Sequence, residues 1–200
     1  MKRYLAVCLL ALSTVGCVST VPFNVGHQKL KAPVALQHGA VVLMPFKDSR
    51  AVTNQMVIGG AGKREKPSPT FIAKQLRPVA DILTDYFREA LKVSGYQTRT
   101  GDAGNLPVLD GEIREFWLSA GAWKSVCTTQ VLLKLKRDSE GPVLWERTIA
   151  SEEDDLMIIP NAMQAAVTTL LQNAVQAFSS PEFGSAVNSS PGTSLSGSGK

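Results

Sequence analysis

Only two histidines occur in the sequence, His27 and His38. Both fall in a turn-rich stretch with Pro22, Gly26, Pro33 and Gly39, and a general base needs a rigid frame to meet its proton at hydrogen-bond distance. No hydroxyl or thiol stands in a pattern that places it beside an activating base. Gly59-Gly60-Ala61-Gly62-Lys63 invites a phosphate-loop reading. That motif requires a glycine where Val57 stands and a Ser or Thr where Arg64 stands, so the run reads as a mobile glycine loop. Glu152, Glu153, Asp154 and Asp155 are consecutive and lack the alternation and glycine of a calcium loop, so they read as an acidic turn. Asp110, Glu112 and Arg114 share one face of a strand pattern, with Lys134 and Lys136 as cross-strand partners on a charged outer face. A hydrolase or transferase would have to draw on Asp110, Glu112 or Ser125. No catalytic set, metal centre or cofactor site is expected.

The cysteines carry a different chemistry. Lys2 and Arg3 precede the uncharged run Tyr4–Leu12, and small residues fill 13–16, the layout of a cleavable secretory signal. The run is too short to cross a hydrocarbon core of ~30 Å as a helix, which takes about 20 apolar residues. Thr14-Val15-Gly16-Cys17 resembles the lipobox of bacterial lipoproteins, with Thr14 where leucine is usual. The resemblance implies cleavage before Cys17, which then carries the lipid that replaces a transmembrane helix. The competing reading is an ordinary signal cut near Gly16 with Cys17 a free thiol. Val18 and Ser19, rather than Asp, follow the cysteine. By the same resemblance this implies the outer membrane of a Gram-negative cell, facing the periplasm, with inner-membrane retention as the alternative. Cys8 leaves with the signal, so Cys127 is alone in an oxidising compartment. It reads as a buried small hydrophobe, or alternatively as one half of an intermolecular disulfide.

Net charge is +4 before the signal with its Lys2 and Arg3 is removed. The remaining basic residues are scattered, apart from Lys63-Arg64-Glu65-Lys66. Without a clustered basic face, nucleic acid is excluded as a partner, and a weak attraction to anionic lipid or glycan surfaces stays open.

The elements follow from periodicity. Residues 1–16 are the signal, 17–38 the lipidated Cys and a flexible tether, 39–180 one domain, and 181–200 a disordered Ser/Gly-rich tail. Ala40–Phe46 is a continuous apolar strand, and Lys47–Pro69 a long loop of the kind that is often functional. Leu76, Val79, Leu83, Phe87, Ala90 and Leu91 predict a helix with Pro78 in its first turn and Gly95 as its stop. Tyr96–Thr100 is a short strand. Val108–Leu118 is a longer one, with Leu109, Gly111, Ile113 and Trp117 on one face. Val126–Lys136 alternates apolar and polar, except at Leu132, as in a sheet with one buried face. Pro142–Ala150 is a further strand, and Pro160 opens a second helix with Met163, Ala166, Val167, Leu170 and Leu171 on its stripe. Strands joined by short turns pair antiparallel. The expected fold is α+β: two layers, a mainly antiparallel sheet of about five strands covered on one face by two amphipathic helices.

Phe116 and Trp117 are adjacent, so a regular strand sends one of them away from the core. A bulge, or partial cover on both faces, is the alternative. Trp117, Trp123, Lys63 and Arg64, together with the loop at 47–69, are the candidate contact residues.

Two family resemblances bear on function. The lipobox, the strand Val41–Phe46, the segment ILTDYFREALKVSGYQ (82–97) and Met163-Gln164-Ala165-Ala166 in the last helix resemble the YajG-like family of lipoproteins. That resemblance implies envelope localisation and no enzymatic activity. MPFKDSR (44–50), SGYQ (94–97) and VLDGEI (108–113) are similar to lipoproteins of the LpoB and CsgG kind, which act by binding a cell-wall synthase or by assembling identical subunits into a secretion pore. No amphipathic membrane-inserting strand pair is evident for a pore. The expectation is a non-catalytic envelope lipoprotein whose domain binds envelope partners or a second copy. Its alternative is an accessory lipoprotein of a transport, secretion or cell-wall synthesis complex. A transport role requires an apolar groove able to hold a lipid tail.

Overall fold

The computed structural model describes residues 18–22, 30–31, 39–61, 64, 67, 69–101, 104–156 and 158–189. The signal, Cys17, His27, His38, Lys63 and residues 190–200 lie outside that set. The sheet elements are β1 (Val18–Val21), β2 (Gly39–Leu43), β3 (Lys47–Asp48), β4 (Val57–Ala61), β5 (Thr70–Ala73), β6 (Tyr96–Arg99), β7 (Val108–Ala120), β8 (Ser125–Lys136) and β9 (Val143–Asp155). The helices are α1 (Val79–Val93), α2 (Ile159–Phe178) and α3 (Pro181–Asn188).

The hub is β7. One edge pairs antiparallel with β8, and β8 pairs antiparallel with β9, the meander that short turns impose. The other edge is shared by three short parallel segments in succession. Val42 of β2 lies opposite Val108, Lys47 of β3 opposite Glu112, and Gly59 of β4 opposite Leu118. Beyond these, β6 runs parallel to β2, β5 antiparallel to β4, and β1 parallel to β5. The sheet therefore has nine strands and is mixed, which corrects the expectation of about five mainly antiparallel ones. The missing strands lie in the stretch read as a loop at 47–69, directly after it at 70–73, and in the stretch read as a tether. A strand of two to five residues shows too little alternation to register as one.

Gly59 and Gly60 are strand residues rather than a mobile loop. A Cβ on Gly59 would lie 1.9 Å from the Leu118 carbonyl oxygen, so only glycine lets β4 close against β7. The acidic run Glu152–Asp155 is also strand, the end of β9. In the residue 17–38 stretch, β1 pairs with β5 and Lys31 N–H donates to the Gln172 side chain at 3.0 Å. That stretch is thus fastened to the domain at two points.

Helices α1 and α2 cover one face. Val79, Ile82, Leu83, Phe87, Ala90 and Leu91 of α1 are buried, as their spacing requires. Pro78 is the residue preceding the first turn, and Gly95 follows the helix with φ of 94°. Leu76 is outside the helix, exposed, with φ of 52°. Pro160 sits in the first turn of α2, whose apolar stripe packs on β8 and β9. The third helix, α3, corrects the expected tail at 181–200 as far as residue 188. Ser180 caps it by accepting from Phe183 N–H, and Pro181 occupies the first turn. Phe183 is wholly buried, with ring centroids 5.2 Å from Tyr96, 4.8 Å from Trp145 and 5.0 Å from Phe178.

A bulge decides the Phe116–Trp117 question. The β7–β8 register shifts between Ile113 and Glu115, so Arg114 is the extra residue and the inward set changes parity. Leu109, Gly111 and Ile113 face the core before it, and Phe116 and Leu118 after it. Phe116, and not Trp117, is the core residue. Asp110, Glu112, Glu115 and Trp117 consequently share the outer face.

Candidate functional site

On that outer face the structure brings together two of the four contact residues expected from sequence. The Arg64 guanidinium lies 5.0 Å from the centroid of the Trp117 ring and donates to Glu115 Oε1 at 2.9 Å. Arg64 lies in the connection after β4, whose end pairs with Leu118–Ala120 of β7, close to Trp117. Half of the Arg64 side chain remains exposed, so this is a solvent-accessible cation–π and ion-pair cluster, worth roughly 0.5–1 kcal/mol at such a site. Its groups suit recognition of a planar, acidic or aromatic partner group. Farther along the same face Lys136 bonds Asp110 at 2.7 Å and Lys134 bonds Glu146 at 3.1 Å. Leu132, the apolar break in the β8 pattern, borders a shallow depression with Pro45, Lys47 and Lys134.

Trp123 is elsewhere, in the turn between β7 and β8, and is 78% exposed. The pairing registers set what surrounds it. Val18 lies opposite Thr70, Gly60 opposite Thr70 and Ser119, and Ser125 opposite Ala120 and Asp155. The start of β1, the end of β4, the start of β5, the β7–β8 turn and the end of β9 therefore all lie at one end of the sheet. The start of α2 lies there too. Between it and β1 runs an open groove of about 480 Å³, lined by Val21, Pro22, Ala61, Phe71, Ala120 and Ile159 among others. Its volume is within the range of small-molecule sites and its lining is mostly apolar.

The residues a hydrolase would have used do not converge. Ser125 is buried at that same end, whereas Asp110 and Glu112 lie at the other end of β7 on the outer face. At ~3.4 Å per residue the separation is about 30 Å. Among the described residues no group of three or more His, Cys, Asp or Glu side chains could hold a metal ion. Cys127 is a free, buried thiol pushed up to about 12 by burial, an unreactive state.

Sequence reasoning missed one constellation, the buried pair Asp48 and Arg50. Arg50 Nη2 meets Asp48 Oδ2 at 2.7 Å, with side-chain exposures of 0% and 3%. The guanidinium also donates to the carbonyls of Gln55, Val57 and Phe116. It ties the β3–β4 connection to β7 and so holds the strand that delivers Arg64.

The architecture defines a class: an α+β domain in which two helices cover one face of a mixed sheet. No family model matches the chain, and none of the curated proteins matches it. Among solved structures, a protein from Xanthomonas campestris described under family DUF330 shares 16% identity over 87% of this chain and 96% of its own, with a TM-score of 0.58. A second, an uncharacterised protein, shares 9% over 82% and 96%, with a TM-score of 0.50. A lipoprotein from Neisseria meningitidis overlaps more loosely, with 12% identity over 69% and 99% and a TM-score of 0.35. At these identities the first two likenesses concern the fold, and the third carries no weight. The YajG-like resemblance finds no match here. No helix among the described residues is long and apolar enough to cross a membrane.

Proposed function

We propose that this chain is a non-catalytic lipoprotein of the cell envelope, anchored through an acylated Cys17 at the outer membrane and facing the periplasm. Its domain binds an envelope protein through the outer face of the sheet. The observation that carries the binding role is the half-exposed Arg64–Trp117–Glu115 cluster. It sets a stacked guanidinium and an indole on the face that α1 and α2 leave uncovered, and Trp and Arg are the residues that dominate binding energy at interfaces. The anchor rests on the lipobox resemblance at 14–17.

A photo-crosslinking residue at position 64, compared in living cells with one at Lys92 on α1, tests the face. A partner captured from 64 and lost on Trp117→Ala is the expected result. The same adducts from both positions would remove the assignment. Cys17→Ser tests the anchor, with release of a soluble protein or stalled processing expected, and unchanged membrane attachment counting against it.

The groove beside β1 favours a second reading, an accessory lipoprotein of a transport complex that handles lipid. Native mass spectrometry of the purified Cys17→Ser chain would show a bound lipid if that reading holds, and none if it does not.

A further inference from the structure

Val18, the first residue of β1, is 61% exposed, and Trp123, Leu156 and Ile158 are 78%, 77% and 49% exposed. The strand registers put all four at one end of the sheet, and they are a majority of the large apolar side chains exposed among the described residues. Counted across the strands from β1 to β9 at ~4.8 Å per spacing, they span about 24 Å. Cys17 is bonded to Val18, so its Cα lies ~3.8 Å away. Resting on the anchor proposed above, we infer that this end of the domain lies directly against the bilayer surface, with Trp123, Leu156 and Ile158 seated at the headgroup level beside the acylated N-terminus.

Three observations choose a bilayer over a protein as occupant. Cys17 is covalently joined to this end, and pairing of Val18 with β5 leaves no slack between lipid and domain. The turn offers a tryptophan, whose amphipathic ring favours the membrane–water interface. The cations described at this end are paired: Lys124 bonds Asp154 at 3.1 Å, and Arg64, in the β4–β5 connection, bonds Glu115 at 2.9 Å. Paired in this way, they leave the apolar side chains to carry the contact with a bilayer surface. The contact adds apolar burial to that of the lipid anchor.

The test uses the full processed chain, purified from membranes and bound to phosphatidylcholine vesicles with brominated or ordinary acyl chains. Subtracting the emission of Trp123→Phe isolates Trp123, and the emission that remains, from Trp117 and Trp145, is the internal reference. Because Trp123 is largely exposed, its replacement leaves the fold intact. The expected result is a loss of Trp123 emission in brominated vesicles with no comparable loss in the Trp117 and Trp145 emission that remains. An acylated, vesicle-bound chain whose Trp123 emission is the same in both vesicles overturns the inference and leaves the anchor standing, the outcome if a protein partner occupies this end. A chain with no acyl mass at Cys17 overturns the anchor and this inference together, and intact mass tells the two failures apart.

Discussion

Asp48 and Arg50 show how a charge can be buried at tolerable cost. The carboxylate accepts from both Nε and Nη2, and three carbonyls take the remaining donors used. Removing one partner of such a pair leaves a charge with neither water nor counterion. Asp48→Asn is therefore expected to lower stability by about 3–5 kcal/mol, read as a lower urea midpoint at unchanged slope. Nothing in Lys47-Asp48-Ser49-Arg50 announced this, since an acid and a base two apart in a polar stretch resemble any surface pair. The partner that places the pair inside the fold, the Phe116 carbonyl, is 66 residues away in sequence. A second residue-scale consequence concerns alkali. Burial pushes both the Cys127 thiol and the Tyr96 phenol up to about 12, from 9.0 and 10.0. The protonated forms are favoured in the folded state, so the stability tied to them is complete below about pH 9 and is lost as pH rises toward 12. Thermal melts are expected to be flat from neutrality to pH 9 and to fall beyond it. A thiol reagent should label Cys127 only as the chain unfolds.

Among the elements, α3 was the one that composition concealed. Its eight residues contribute only Phe183, Ala186 and Val187 as buried apolar side chains, and the Ser- and Gly-rich surroundings read as tail. The local signals were nevertheless present in Ser180-Pro181-Glu182, a cap followed by proline in the first turn. Phe183 joins α2, β6 and β9 at one aromatic junction. Phe183→Ala is expected to cost about 3–5 kcal/mol, measured by urea unfolding, where a loss under 1 kcal/mol would show α3 to be a loosely attached appendage. The β7 bulge is the other element-scale lesson. The alternation expected from sequence matches the structure up to Ile113, and beyond it the single inserted residue Arg114 moves Trp117 from the core to the outer face. That shift made the Arg64–Trp117 contact possible. Alternation along β8 was legible because it has no such interruption before its final residues.

For the whole molecule, the sequence revealed what is local. The β7–β8–β9 meander and the stripes of α1 and α2 follow from periodicity and short turns. The parallel edge of β7 does not, because its contacts join residues about 60 apart, such as Val42 with Val108 and Gly59 with Leu118, and periodicity carries no information about partners. The proposed site was legible as residue types and not as a place: Arg64 and Trp117 were both named, while their meeting depended on β4 being a strand. The pairing of β1 with β5 has a consequence for how far the protein can act. A free linker over residues 17–38 would give the domain a sweep of about 25 Å above its anchor, from ~5–6 Å times the square root of its length. On the proposed Cys17 anchor, with Val18 locked into the sheet, that sweep disappears, and the domain would act as a fixed post rather than a leashed probe. Any partner must come down to within one domain height of the bilayer to meet it.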